Sequence, residues 1–134
     1  MKFTIKDPPR VFTVRSFANG QDTGIKIKDC AQILLVADEQ VTFVTATGGE
    51  YDVARKEWGF YATPSLNGRL AGFGLRAVLV KHQITKRFYL LLVESGKEKG
   101  FECYIQKEGH KIICWMDSNE ALENLEKKLK EIQK

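Results

Sequence analysis

Residues 75–81 (LRAVLVK) and 87–94 (RFYLLLVE) are two apolar runs separated only by HQITK, and this pair limits the fold more than any other feature. Each run is of strand length, and a five-residue connection suits the loop of an antiparallel hairpin. The second run is rich in leucine and would tolerate a helix. Its length and its neighbour favour a strand.

Most of the remaining chain repeats the theme of short strands and turns. Residues 3–6 alternate apolar and polar until Asp7-Pro8-Pro9 stops them, and residues 11–15 (VFTVR) are β-branched and alternating. Residues 16–24, with Asn19-Gly20, read as a loop or hairpin tip. Ile25 and Ile27 share a face, residues 32–36 (QILLV) suit a central strand, and residues 41–47 (VTFVTAT) end at Gly48-Gly49. Residues 111–116 (KIICWM) read as a buried strand. Residues 97–108 place Phe101, Tyr104 and Ile105 at helical spacing, and Gly109 follows where a C-cap glycine belongs.

The C-terminal segment, residues 119–134, is the clearest helix. Asp117 and Glu120 have capping-box spacing, and Leu122, Leu125, Leu129 and Ile132 form one stripe. Glu123 with Lys127, and Glu126 with Lys130, stand in the favourable Glu-before-Lys order. The expected role of the stripe is docking on the chain's own sheet. The alternative is pairing with a second copy, which would make a homodimer. The predicted architecture is α+β: about seven strands, mainly antiparallel, in a sandwich or half-barrel, with a short helix and this C-terminal amphipathic helix.

The 134 residues fit one domain, 1–134, that buries roughly two-thirds of its unfolded surface without a metal or disulfide staple. No signal-peptide core and no apolar run of membrane-spanning length is present, so a cytoplasmic protein without a membrane partner is expected. Cys30, Cys103 and Cys114 are widely spaced, with no CxxC pair and no histidine at zinc-ligand spacing. They read as reduced thiols, with Cys114 buried, and neither a metal nor another cofactor is expected. The formal charge of +4 is spread over scattered lysines, which argues against a dedicated nucleic-acid binder. Phosphate-loop, GxSxG, HExxH and EF-hand patterns are missing.

Residues 50–70 (EYDVARKEWGFYATPSLNGRL) stand apart because they lack clean apolar periodicity. Aromatic faces beside cations and short hydrogen-bonding chains suit a ligand with a flat or sugar face and a negative charge. The candidate ligand-binding residues are Arg55, Lys56, Trp58, Tyr61, Ser65, Asn67 and Arg69. Trp58 and Tyr61 would stack, the cations would meet charge, and Ser65 and Asn67 would hydrogen-bond. The plainer reading is that Trp58 and Phe60 share a core face while residues 63–69 (TPSLNGR) make a turn. Among carboxylates, Asp52 is the best acid–base candidate; the plainer reading is an outward-facing, solvated ion pair.

On the same segment, with FGLRAVLVK, RFYLLLVESGKE, FECYI and CWMD, residues 25–117 resemble a family of small uncharacterised bacterial proteins. That family is associated with surface-polysaccharide biosynthesis genes, and the resemblance implies a sugar or nucleotide-sugar context without implying catalytic residues. The leading functional expectation is therefore a non-catalytic accessory or binding domain. Its partner would be a glycan-like, anionic small molecule or another protein. A small sugar or nucleotide-sugar isomerase or epimerase is the alternative, needing an acid and a base among Asp52, Tyr61, His82 and Glu94. Single-stranded nucleic-acid binding is the weaker third.

Overall fold

The computed structural model describes residues 1–14 and 25–133, and the alternating segments become eight strands joined by three helices. In chain order these are β1 (Lys2–Val14), β2 (Ile25–Leu34), β3 (Gln40–Val44), β4 (Glu50–Lys56), β5 (Gly59–Ala62), α1 (Arg69–Gly72), β6 (Leu75–His82), β7 (Phe88–Glu94), α2 (Glu98–Glu108), β8 (His110–Trp115) and α3 (Asn119–Ile132). They form three antiparallel sheets, ordered β1-β2, β3-β4-β5 and β7-β6-β8. The fold is α+β, mainly antiparallel, with no closed barrel among the described residues.

The core is built around β6, the central strand of the third sheet. Alternate residues of a strand point to opposite faces, and both faces of β6 are covered. Val78 and Val80 are fully buried against Val93 of β7 and Ile105 of α2, with Phe101, Ile112 and Trp115 around them. Leu75 and Ala77 turn the other way, under Leu70 of α1 and beside Tyr51, Leu66, Leu92 and Met116. This double burial explains why residues 75–81 are a run of apolar residues and not an alternation. The predicted β6–β7 hairpin forms with unbroken register from Leu75 opposite Glu94 to Lys81 opposite Phe88. Among the described residues nothing pairs with the outer edge of β7.

Three expectations change. Pro8-Pro9 does not end a strand: β1 runs through it, with a register break against β2 between Ile5 and Arg10. A proline has no N–H to give a ladder, so it is tolerated at such a break on a two-stranded ribbon. Residues 25–28 and 32–36 are not separate strands, because Ile25–Leu34 is continuous. The predicted tip at residues 16–24, and Arg15, lie outside the described residues. Third, the turn-like segment before β6 contains the short helix α1, entered through Ser65, whose Oγ accepts from the Arg69 amide at 2.9 Å.

The remaining helices follow the sequence closely. Gly109 closes α2 at φ 76, in the left-handed region. α3 is capped one residue later than expected, since the Ala121 amide donates to Ser118 Oγ at 3.1 Å. Asp117 instead pairs with Arg76 Nε at 2.6 Å, and Arg76 lies 4.0 Å over the Trp115 ring. The apolar stripe does not dock as a whole on the chain's own sheets: Leu122 and Leu125 are half-buried, Leu129 and Ile132 are exposed, and no residue of α3 is buried. Of the two helical ion pairs expected, Glu126–Lys130 forms, at 3.8 Å.

Candidate functional site

The β4–β5 hairpin carries the first half of the singled-out segment. Its register sets Arg55 opposite Phe60, Ala54 opposite Tyr61 and Lys56 opposite Gly59, leaving Trp58 in the turn. Trp58 is 73% exposed, Phe60 65% and Tyr61 50%, so none is a core residue. Arg55 lies 5.9 Å over the Phe60 ring and donates to the Gly59 carbonyl at 3.4 Å. Lys56 is committed to Asp38 at 2.5 Å. Phe60 and Arg55 occupy one face of the sheet, while Tyr61 and Lys56 occupy the other. The tip therefore shows aromatic surface in several directions, with one cation stacked and one neutralised.

The second half of the segment is engaged in shaping the chain. Ser65 Oγ accepts the Arg69 amide at the entry to α1, and the carboxamide of Asn67 donates to Asn119 Oδ1 at 2.6 Å, tying this loop to the start of α3. Arg69 lies 5.2 Å over the Phe73 ring. Of the seven candidates, the hairpin brings together Arg55, Lys56, Trp58 and Tyr61. Ser65, Asn67 and Arg69 surround α1 instead.

Asp52 overturns its expected placement. It is buried, not outward-facing, and its partner is neutral: directly opposite on β3, Thr42 Oγ1 donates to it at 2.6 Å. Val53, its neighbour, faces the half-open groove described below. Glu94, at the end of β7, is bound by the turn between β3 and β4. Thr45 Oγ1 and Thr47 Oγ1 donate to its two oxygens, the latter at 2.5 Å, and Lys97 Nζ stands at 3.2 Å. The two hydroxyls, then the ammonium, hold its carboxyl down at about 2, so it is an anion and not a general acid. Gly49 makes the approach possible, because a Cβ there would sit 3.1 Å from the Glu94 side chain.

At the far end of the same sheet His82 faces His110 across the β6–β8 ladder, the rings edge to face at 5.0 Å, with Tyr89 5.6 Å from His110. His82 Nδ1 accepts the amides of Ile84 and Thr85 at 3.2 and 3.1 Å, which organises the β6–β7 loop. His110 Nδ1 is buried without a hydrogen-bond partner. Burial, then the neighbouring His82, lowers the His110 pKa against the opposing pull of Glu108. The lone spacing of two histidines in sequence gave no hint of this pair; register alone creates it.

The grooves among the described residues include two that are open to a ligand. One, of about 430 Å³, runs between β7 and α2 and is lined by Leu91, Val93, Phe101 and Tyr104, with Glu94 and Lys97 at one end. The other, of about 250 Å³, lies between the base of β2 and the second sheet, among Ala31, Ile33, Val41, Phe43, Val53 and Phe60. Neither holds more than one of Asp52, Tyr61, His82 and Glu94. No group of three His, Cys, Asp or Glu side chains suited to a metal occurs among the described residues. Cys30 and Cys103 are exposed and Cys114, expected to be buried, is half-buried; all three are free thiols. Among the described residues no helix is long and apolar enough to cross a membrane.

Comparison with known proteins finds no match: no family model, no curated protein and no solved structure corresponds to this chain.

Proposed function

We propose that the chain is a non-catalytic accessory domain that binds a partner protein through the β4–β5 tip. The observation that carries this reading is the exposure of Trp58, Phe60 and Tyr61 on a single short hairpin beside Arg55. Small-molecule sites are concave, and neither groove includes Trp58 or Tyr61. Exposed Trp, Tyr, Phe and Arg on one hairpin are the residue types enriched in protein–protein hot spots. The family resemblance supplies the context in which such a partner would be sought, bacterial surface-sugar metabolism.

One observation favours a second reading, a glycan-like anionic ligand, at a different place. The β7–α2 groove combines the aromatic rings of Phe101 and Tyr104 with the Lys97 ammonium. A sugar isomerase or epimerase would need an acid and a base in that groove, and Glu94, its carboxyl held down at about 2, is the sole carboxylate lining it.

Tryptophan emission of Trp115→Phe, which leaves Trp58 as the one reporter, tests the assignment. A red-shifted maximum, unmoved by nucleotide sugars or oligonucleotides, is expected. Trp58→Ala should then lower affinity for a bound partner at least ~10-fold, the scale of a hot-spot residue. A blue maximum would remove the tip from the interface. Quenching by a nucleotide sugar would move the function to the small-molecule reading.

A further inference from the structure

The loop between β6 and β7 is held from inside by a histidine ring. His82, the last residue of β6, is only 6% exposed, whereas residues 83–87 are all exposed. Its Nδ1 accepts two backbone amides at once, from Ile84 at 3.2 Å and from Thr85 at 3.1 Å. The main chain closes the same turn, since the Lys86 amide donates to the His82 carbonyl at 2.9 Å. Lys86 takes φ 62, a left-handed conformation uncommon for a residue other than glycine. Ile84, the one apolar residue of the loop, is 58% exposed, so little apolar burial secures this shape. The ring nitrogen supplies what the packing of the loop does not.

A nitrogen that accepts carries no hydrogen, so the two bonds require a neutral His82 with its proton on Nε2. In the imidazolium both ring nitrogens are donors, and the Ile84 and Thr85 amides would face an N–H instead of a lone pair. The observed loop and a protonated His82 are therefore mutually exclusive. We infer that His82 is an acid-released latch: protonation of its Nδ1 frees residues 83–86, and the neutral ring fastens them again. Histidine is the side chain that ordinarily changes charge between about pH 5 and 8, so the latch is shut at the upper end of that range and open at the lower.

The neighbours direct the proton to this ring. His110 of β8 stands edge to face with His82 at 5.0 Å, and Tyr89 of β7 lies 5.6 Å from His110. Two imidazolium rings so close repel, and the pair takes its first proton on one member. His110 is the poorer site. Its Nδ1 is buried without a hydrogen-bond partner, and burial, with the adjacent His82, outweighs the pull of the Glu108 carboxylate at the end of α2. His82 Nδ1 needs only that an exposed loop swing aside to meet water. Lys81 and Lys111 adjoin the two histidines in their strands and point to the opposite face of the sheet. Arg87 meets His82 through its main-chain carbonyl. The inference goes beyond the binding reading above, because the latch uses neither Trp58 nor Tyr61.

Nitrogen-15 NMR of the whole chain, from about pH 8 to about pH 5, tests it by following the His82 ring and the exchange protection of the Ile84 and Thr85 amides. Protection is corrected for the intrinsic pH dependence of exchange. The expected result is an Nδ1 that gains a hydrogen in acid while both amides lose protection roughly 10-fold with the same midpoint. The Val78 and Val80 amides, in the middle of the sheet, should stay protected. In His82→Asn the side-chain oxygen accepts at every pH of the range, as in an Asx turn, so loop protection should become independent of pH. A His82 ring that stays neutral throughout, or one that is protonated while both amides remain protected, would overturn the inference. So would loss of loop protection that follows His110 instead, that accompanies Val78 and Val80, or that persists in folded His82→Asn. Should that variant fail to fold, the unmodified chain decides by whether the His82 ring and the two amides share one midpoint.

Discussion

Asp52 and Glu94 show how neighbours decide what a carboxylate does. Asp52 sits inside a sheet with one threonine hydroxyl for company. Replacing it with alanine removes that hydrogen bond, and because Thr42 is exposed and its hydroxyl can turn to water, the expected cost is about 1 kcal/mol in urea unfolding, with Asp52→Asn losing less. Glu94 instead contributes through ionisation. Its folded pKa of about 2 lies below the ordinary 4.5, so its stabilisation is complete above pH 4.5 and disappears as pH falls from there toward 2. Burial of neutral His110 acts in a higher window. Its lowered pKa means the unfolded chain takes the proton first, so stability is full above 6.5 and declines as pH drops below it. Urea midpoints measured from pH 8 downward should show that first decline in the unmodified chain and not in His110→Phe.

Among the elements, the ones that sequence made legible are those whose signal is local. The β6–β7 hairpin, the Gly109 cap and the amphipathic pattern of α3 depend on spacing and residue type within one segment, and they form where expected. Asp52 and the stripe of α3 were misjudged because their surroundings come from elsewhere in the chain. Thr42 reaches Asp52 only through β3–β4 register, and no local feature says which sheet surface is left for a helix. The α3 cap is a small instance of the same limit, since Asp117 and Ser118 are both good caps and Arg76, forty-one residues away, claims the first. Ser118→Ala should destabilise the helix by about 1 kcal/mol, read as a lower melting temperature, whereas Asp117→Asn should leave the cap intact.

Over the whole molecule, the described buried apolar residues other than Leu35 gather on the two faces of one sheet, while the β1–β2 ribbon, the β4–β5 tip and the second half of α3 keep apolar side chains in solvent. The aromatic segment was readable as unusual, and the tip it forms is exposed, but the loop residues Ser65 and Asn67 proved to be structural partners of α1 and α3. The open edge of β7 has its own consequence for which sequences this fold can tolerate. Phe88 through Val93 are six consecutive apolar residues without proline, glycine or charge, on a strand whose outer hydrogen-bonding groups have no partner among the described residues. Arg87 and Glu94 flank them. Glu94 is engaged by Thr45, Thr47 and Lys97, which leaves exposed Arg87 as the gatekeeper. A neutral substitution of Arg87 can leave the native contacts of the core untouched and still lower soluble yield, so mutational tolerance at this position is set by solubility as much as by the folded state.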